Sequence, residues 1–281
     1  MGKENDGKGS KVSETLCSFL RKCMFCVLSV GPVPNHISFI MDGNRRYAKK
    51  MKLTEGTRHR VGFLALMSML KYCYELGVKY VTIYAFSIDN FKRSPDEVQS
   101  LMDLMLEKIE GLMKEDSMVN RYGVRVCFIG NLKLLSDSVR LAAEKAMLAT
   151  ATNSKAVLSI CVAYTSTNEI VHAVQESCEE KWDERVLNVS KASCEKDGEE
   201  HFVNLADIEK NMYMAVVPDP DILIRTSGET RLSNFLLWQS AYCLLHSPSA
   251  LWPEIGFWHL IWAVLNFQRN YSYLQKKNKQ L

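Results

Sequence analysis

The chain has 281 residues, 47% of them hydrophobic and 24% charged, which is enough apolar content to bury a full core in one main domain. A net charge of only +3 argues against a nucleic-acid partner, which concentrates Lys and Arg on one face, and leaves the basic residues as local phosphate ligands. Nine cysteines, an odd number scattered along the chain, do not form a disulfide framework and point to a reducing compartment.

Residues 1–11 are polar and read as a disordered leader, with Asp6 where a myristoylation pattern would need Ser or Thr. From Val12 to Val30, the apolar residues Leu16, Phe19, Leu20, Cys23, Met24 and Val27 recur at helical spacing, interrupted by Arg21 and Lys22. This predicts an amphipathic surface helix that covers its own domain, packs on a partner helix or lies on a membrane. The uncharged run from Cys23 to Pro34 is too short to span a bilayer. Cys23-Met24-Phe25-Cys26 is a lone CxxC with no second pair or His cluster, so it reads as apolar packing. The division expected is a leader and helix over 1–30 and a globular domain over 31–281.

After Pro34, short β-rich runs alternate with helical patterns, which argues for an α/β domain with a mainly parallel sheet covered by helices. Six strands are expected, at His36–Met41, Tyr80–Ala85, Val124–Ile129, Val157–Ala163, Ile222–Arg225 and Tyr242–His246. A helix over Pro95–Met113 should open with Ser94 as N-cap, Pro95 at its first position and Glu97 closing a capping box. Its Met-rich stripe, including Met102, Met105 and Met113, is either core or the wall of a greasy substrate cavity. The stretch around 177–203, most clearly Ser177–Glu200, is charged and aperiodic, and reads as an exposed insertion.

Three strand ends carry candidate chemistry. In an open parallel sheet, ligands bind beyond the carboxyl ends of the strands. At the first end, Asp42-Gly43-Asn44-Arg45-Arg46 places a carboxylate, a glycine turn and two guanidinium groups ahead of a helix. Either this is an ordinary turn, or the basic groups take phosphate oxygens while Asp42 holds a hard cation such as Mg2+. The second, Phe86-Ser87-Ile88-Asp89-Asn90-Phe91-Lys92-Arg93, is a polar loop or a site offering a hydroxyl, an amide, aromatic rings and a cation. In the third, Arg225-Thr226-Ser227-Gly228-Glu229-Thr230-Arg231-Leu232-Ser233, two arginines could clamp one diphosphate across a small-residue turn, or pair with Glu229. Apolar helices bordering anion-binding strand ends suit a substrate with a diphosphate head and a hydrocarbon tail. Walker lysine, GxGxxG, HExxH and DDxxD motifs are all missing from the sequence.

The segments HISFIMDGNRRYAKK, YAFSIDNFKRSPDEV and DILIRTSGETRLSNFLLWQ closely resemble the signature regions of the cis-prenyltransferase (undecaprenyl diphosphate synthase) family. The resemblance runs from about Gly31 to Tyr273 and is nearest the eukaryotic dehydrodolichyl diphosphate synthase and rubber-type catalytic subunits. It implies a single α/β domain with a hydrophobic tunnel, and condensation of isopentenyl diphosphate onto an allylic diphosphate such as farnesyl diphosphate. It also implies that Asp42 positions Mg2+, that Asn44, Arg46 and His59 surround the allylic diphosphate, and that Gly43 and Arg45 lie beside them. Ser87 and Asn90 are implied near the reacting carbons with Phe86, Phe91 and Arg93 alongside, and Arg225, Arg231 and Ser233 as the isopentenyl diphosphate clamp.

Two departures from the single-subunit bacterial pattern follow. Leu244 stands where those relatives carry a metal-binding glutamate, and the stretch Asn270–Lys277 lacks their Arg-X-Gly motif. The resemblance therefore implies a heteromer with a Nogo-B-receptor-like accessory subunit, peripheral to the cytosolic face of the endoplasmic reticulum or on lipid or rubber particles. The alternative is a non-catalytic scaffold subunit of the same heteromer, which the retained diphosphate ligands disfavour.

Overall fold

Short runs of β-branched and aromatic residues set the frame, because a strand buried on both faces of a parallel sheet can be apolar throughout. The computed structural model describes residues 6–114, 117–191 and 202–278. In chain order the elements are α1 (Asp6–Leu28), β1 (His36–Ile40), α2 (Asn44–Lys50), α3 (Glu55–Leu76), β2 (Tyr80–Ser87), α4 (Pro95–Leu112) and α5 (Met118–Tyr122). They continue with β3 (Val124–Ile129), α6 (Asp137–Ala149), β4 (Ala156–Tyr164), α7 (Ser166–Lys191), α8 (Leu205–Lys210), β5 (Ile222–Arg225), β6 (Leu244–His246) and α9 (Phe257–Asn278). Short 3-10 turns follow β2, β3 and α8.

The six strands make one sheet in the order β3-β4-β2-β1-β5-β6, the α/β architecture expected from the sequence. The pairings β1–β5, β5–β6 and β3–β4 are parallel. Every residue of β1 is buried, and Ile37, Phe39, Ile222, Leu223 and Ile224 are among the most enclosed. Each such side chain contributes on the order of 1.5–3 kcal/mol by leaving water.

The contacts group into two compact units. One holds residues up to Val81, Pro220–Thr230 and Tyr242 onward; the other holds Thr82–Asp219 and Arg231–Ala241. Within the first, α3 packs against α1, α2 and α9, and α9 also packs on β5 and β6. Within the second, α6 packs on β3 and α4, while α8 packs on α7. Burial of Met102, Ile109 and Leu112 gives much of the α4 stripe a core role.

Three local expectations are corrected. Helix α1 begins at Asp6, so residues 6–11 of the expected leader are helical; 1–5 lie outside the described residues. Ser94 makes no side-chain cap, and the Glu97 carboxylate, expected to reach back to the Ser94 N–H, instead accepts from Arg93 Nη1 at 2.8 Å, a charge-assisted bond between two ionised groups. Ser177–Lys191, expected as irregular, continues α7, and Ser177 is buried with its hydroxyl donating to Ala173 O at 2.7 Å. The remainder of that stretch, 192–201, lies outside the described residues.

Candidate active site

The parallel register of β1 on β5 pairs Ile40 with Arg225, so the carboxyl ends of the two strands lie side by side. Past that point the β1 chain is held by β5. Asp42 N–H donates to Thr226 Oγ1 at 2.9 Å, and Asp42 O accepts from the Thr226 hydroxyl, from Ser227 Oγ at 2.8 Å and from Trp252 N–H at 2.9 Å. Gly43 follows with φ of 112°. A Cβ there would lie 2.6 Å from Ser227 Oγ and 2.9 Å from Trp252 N, so only glycine fits both the backbone and the space.

This backbone clamp fixes the Asp42 carboxylate. Its Oδ2 accepts from Arg225 Nη2 at 2.8 Å, and Arg46 Nη2 stands 3.4 Å from Oδ1. Arg46 also reaches Glu229 at 3.6 Å, so Glu229 does pair with an arginine, though with Arg46. The Arg225 side chain is 7% exposed and that of Asp42 26%. Burial alone would raise the Asp42 pKa, but the bond and charge of Arg225, with Arg46 behind it, outweigh it and hold the carboxyl below its ordinary range. Asp42 is therefore ionised, partly open to solvent, and a hard oxygen donor. Arg45 is exposed on α2. Asn44 opens α2 over α3, where a Cβ on Gly62 would meet Asn44 Oδ1 at 2.6 Å. His59 lies three residues before Gly62 on the same face of α3, with Nε2 3.0 Å from Arg58 Nη2.

The second unit carries the remaining expected residues. Ser87 and Asn90 form a reciprocal cap on the turn after β2: Ser87 N–H donates to Asn90 Oδ1 at 2.9 Å, and Asp89 N–H to Ser87 Oγ at 3.2 Å. Phe86 is buried with its ring edge-on to Phe91 at 4.9 Å. Arg93 is bridged to Glu97. Arg231 and Ser233 are exposed, and Ser233 has a left-handed backbone.

Some contributors escaped sequence reasoning. Thr226 and Ser227, small turn residues by sequence, lock the Asp42 backbone through their hydroxyls. Glu169, fully buried, accepts from Tyr164 OH, from Met214 N–H at 2.8 Å and from Gln239 Nε2 at 3.1 Å; burial raises its pKa. Its position with Ala173 and Ser177 on the buried face of α7 was the available signal.

No group of three or more His, Cys, Asp or Glu among the described residues could hold a metal by itself. One ionised carboxylate nevertheless fits Mg2+, which is commonly held by one or two carboxylates together with substrate phosphates.

An ionised aspartate braced by a buried arginine thus stands past the carboxyl ends of two adjacent parallel strands, the place where open α/β sheets take their ligands. A family model described as putative undecaprenyl diphosphate synthase matches residues 40–274. The chain is 65% identical to the tomato (Solanum lycopersicum) dehydrodolichyl diphosphate synthase CPT3 over 98% of both chains. It is 54% identical to the Hevea brasiliensis rubber cis-polyprenyltransferase HRT2, again over 98% of both. The human dehydrodolichyl diphosphate synthase complex subunit DHDDS is 44% identical over 90% of this chain and 73% of its own. Lavandulyl diphosphate synthase from Lavandula x intermedia, solved with dimethylallyl diphosphate, superposes with a TM-score of 0.72 at 28% identity, covering 84% of this chain and 95% of that one. The protein belongs to the undecaprenyl diphosphate synthase family and is a cis-prenyltransferase.

Proposed function

We propose that the chain is the catalytic subunit of a long-chain cis-polyprenyl diphosphate synthase, adding isopentenyl diphosphate to an allylic diphosphate such as farnesyl diphosphate. The observation that carries this reading is the ionised Asp42 held at 2.8 Å by buried Arg225, with Arg46 beside it. The retained carboxylate and arginines favour this reading over a scaffold subunit. In the reaction the allylic carbon–oxygen bond breaks and the isopentenyl double bond attacks that carbon. The diphosphate of the allylic substrate departs with that bond, and a proton then leaves the isopentenyl unit to form the cis double bond.

Arg46, Asn44 and His59 bind the allylic diphosphate in this scheme, with Arg45 and the Gly43 turn beside it, while Arg225, Arg231 and Ser233 bind isopentenyl diphosphate. Cationic groups stabilise the charge that grows on the departing diphosphate. Asp42 would hold Mg2+, which would supply Lewis-acid stabilisation of the departing diphosphate. Ser87 and Asn90 cap each other and so present their remaining polar atoms in a fixed geometry near the reacting carbons, flanked by Phe86, Phe91 and Arg93. Asn90 Oδ1 is already engaged, which favours a diphosphate oxygen as the proton acceptor.

The partner in this account is a Nogo-B-receptor-like accessory subunit, supported by the name of the human relative as a complex subunit and by Leu244 where a metal-binding glutamate would serve a self-sufficient enzyme. Peripheral contact with the endoplasmic reticulum membrane, or with lipid or rubber particles, is supported by Leu16, Phe19, Leu20 and Val27 exposed on α1. No helix among the described residues is long and apolar enough to cross a membrane. The test is product analysis with labelled isopentenyl diphosphate, by the chain alone and with its partner. Long cis-polyprenyl products from the complex and little from the chain alone are expected, and their length separates dolichol-range from rubber-range synthesis. Full activity of the lone chain would refute the heteromer.

A further inference from the structure

We infer that the first turn of α7 is a positioning device for the diphosphate clamp, with Ser166 and Thr167 holding Asn234 and thereby the backbone that presents Arg231 and Ser233. The inference rests on the function proposed above. It starts from the backbone of the clamp segment: Ser233, Asn234 and Leu236 have φ of 49°, 58° and 46°. So many left-handed non-glycine residues in one short stretch persist only where the surroundings enforce them.

The enforcing groups are the orphan amides of a helix. Thr165 is the N-cap of α7: its Oγ1 accepts from Asn168 N–H at 3.3 Å and its carbonyl from Glu169 N–H at 3.0 Å. The next two amides, which have no partner inside the helix, are taken by Asn234 instead. Ser166 N–H donates to Asn234 O at 2.8 Å, and both Thr167 N–H and the Thr167 hydroxyl donate to Asn234 Oδ1, at 3.0 and 3.1 Å. Leu237 N–H donates back to Ser166 Oγ at 2.9 Å. Gln239 binds Glu169 further along the same helix, so the segment is pinned at both ends. Arg231 and Ser233, immediately before these pins, remain exposed. The left-handed backbone that caps α7 therefore also sets the direction of the two exposed side chains assigned to the clamp.

The experiment uses the active complex and reads KM for isopentenyl diphosphate, KM for the allylic primer and kcat. Isopentenyl diphosphate binding to the same complex is measured separately by calorimetry. Thr167→Val keeps the shape and the backbone bond but loses the hydroxyl. Asn234→Gly tolerates the left-handed backbone but loses the acceptor. Loss of one such bond is expected to raise KM and Kd for isopentenyl diphosphate about three- to tenfold, and Asn234→Gly to do so at least as strongly. Primer KM and kcat should stay within about twofold of the wild-type complex, and Thr167→Ser should restore wild-type values. Unchanged isopentenyl diphosphate binding in both variants, or parallel changes in both substrates that track a fall in Tm, would overturn the inference. A wild-type complex that binds isopentenyl diphosphate without turnover would sink the catalytic reading while calorimetry still decides this one. One that does not bind it at all overturns both.

Discussion

Removing Asp42 probes the site through stability as well as activity. Asp42→Ala takes away the carboxylate 2.8 Å from Arg225 and leaves a guanidinium whose side chain is only 7% exposed. Breaking a buried ion pair by deleting one partner costs about 3–5 kcal/mol. The Asp42 side chain is 26% exposed, however, so water can recover part of the loss and the net cost should be about 2–3 kcal/mol. In a chain of this size that corresponds to a fall in Tm of roughly 5–10 °C. The second half of the prediction concerns anions. With Asp42 gone, inorganic pyrophosphate without divalent cations should raise the Tm of the variant more than that of the wild type, because the ligand now supplies the missing negative charge. Replacing Arg225 with Met in the same variant should restore stability and abolish that extra response. Differential scanning fluorimetry across a pyrophosphate titration reads all three proteins. An unchanged Tm in Asp42→Ala, or equal pyrophosphate shifts in variant and wild type, would refute the reasoning.

Other substitutions test the supports. Gly43→Ala must adopt a φ of 112° and place a methyl 2.6 Å from Ser227 Oγ, so it should lose about 2 kcal/mol or more by denaturant titration and most of its prenyl transfer activity. Glu169→Ala strands the Tyr164 hydroxyl, Met214 N–H and Gln239 amide, with an expected loss of about 3 kcal/mol measured the same way. The two carboxylates should also differ in pH response. A depressed pKa makes the contribution of Asp42 present above its unfolded value and lost as pH falls through the folded one, so Asp42→Asn should flatten the stability slope only below the ordinary 3.8. The raised pKa of Glu169 has the opposite sign, costing stability as pH rises above the ordinary 4.5 toward its folded value, and denaturation across that range should lose this slope in Glu169→Ala.

Much of the sheet was legible because parallel strands are written locally. The apolar runs Val124–Ile129 and Ile222–Arg225 coincide with β3 and β5. Asp42 and Arg225 were legible for the same reason, as residues at the ends of apolar strand runs. What could not be read was register. Asp42 and Arg225 are 183 positions apart, and only the pairing of Ile40 with Arg225 makes them an ion pair. Competition among side chains was equally hidden: Glu97 was as well placed for Ser94 as for Arg93, and the charged partner won. The continuation of α7 past Ser177 escaped notice because its surface is densely charged, while its buried face is marked by small residues such as Ala173 and Ser177. Asn234 had no local signature as a helix cap, since it serves a helix that starts at Ser166.

The most direct test is incorporation of labelled isopentenyl diphosphate onto farnesyl diphosphate by the complex of this chain with the accessory subunit proposed for it, comparing the wild-type chain with Arg225→Ala. The account predicts long-chain product from the first and a loss of at least about a hundredfold in kcat/KM from the second, as expected when a clamping arginine is removed. Undiminished synthesis by the complex carrying Arg225→Ala would place the chemistry elsewhere and leave this chain a scaffold.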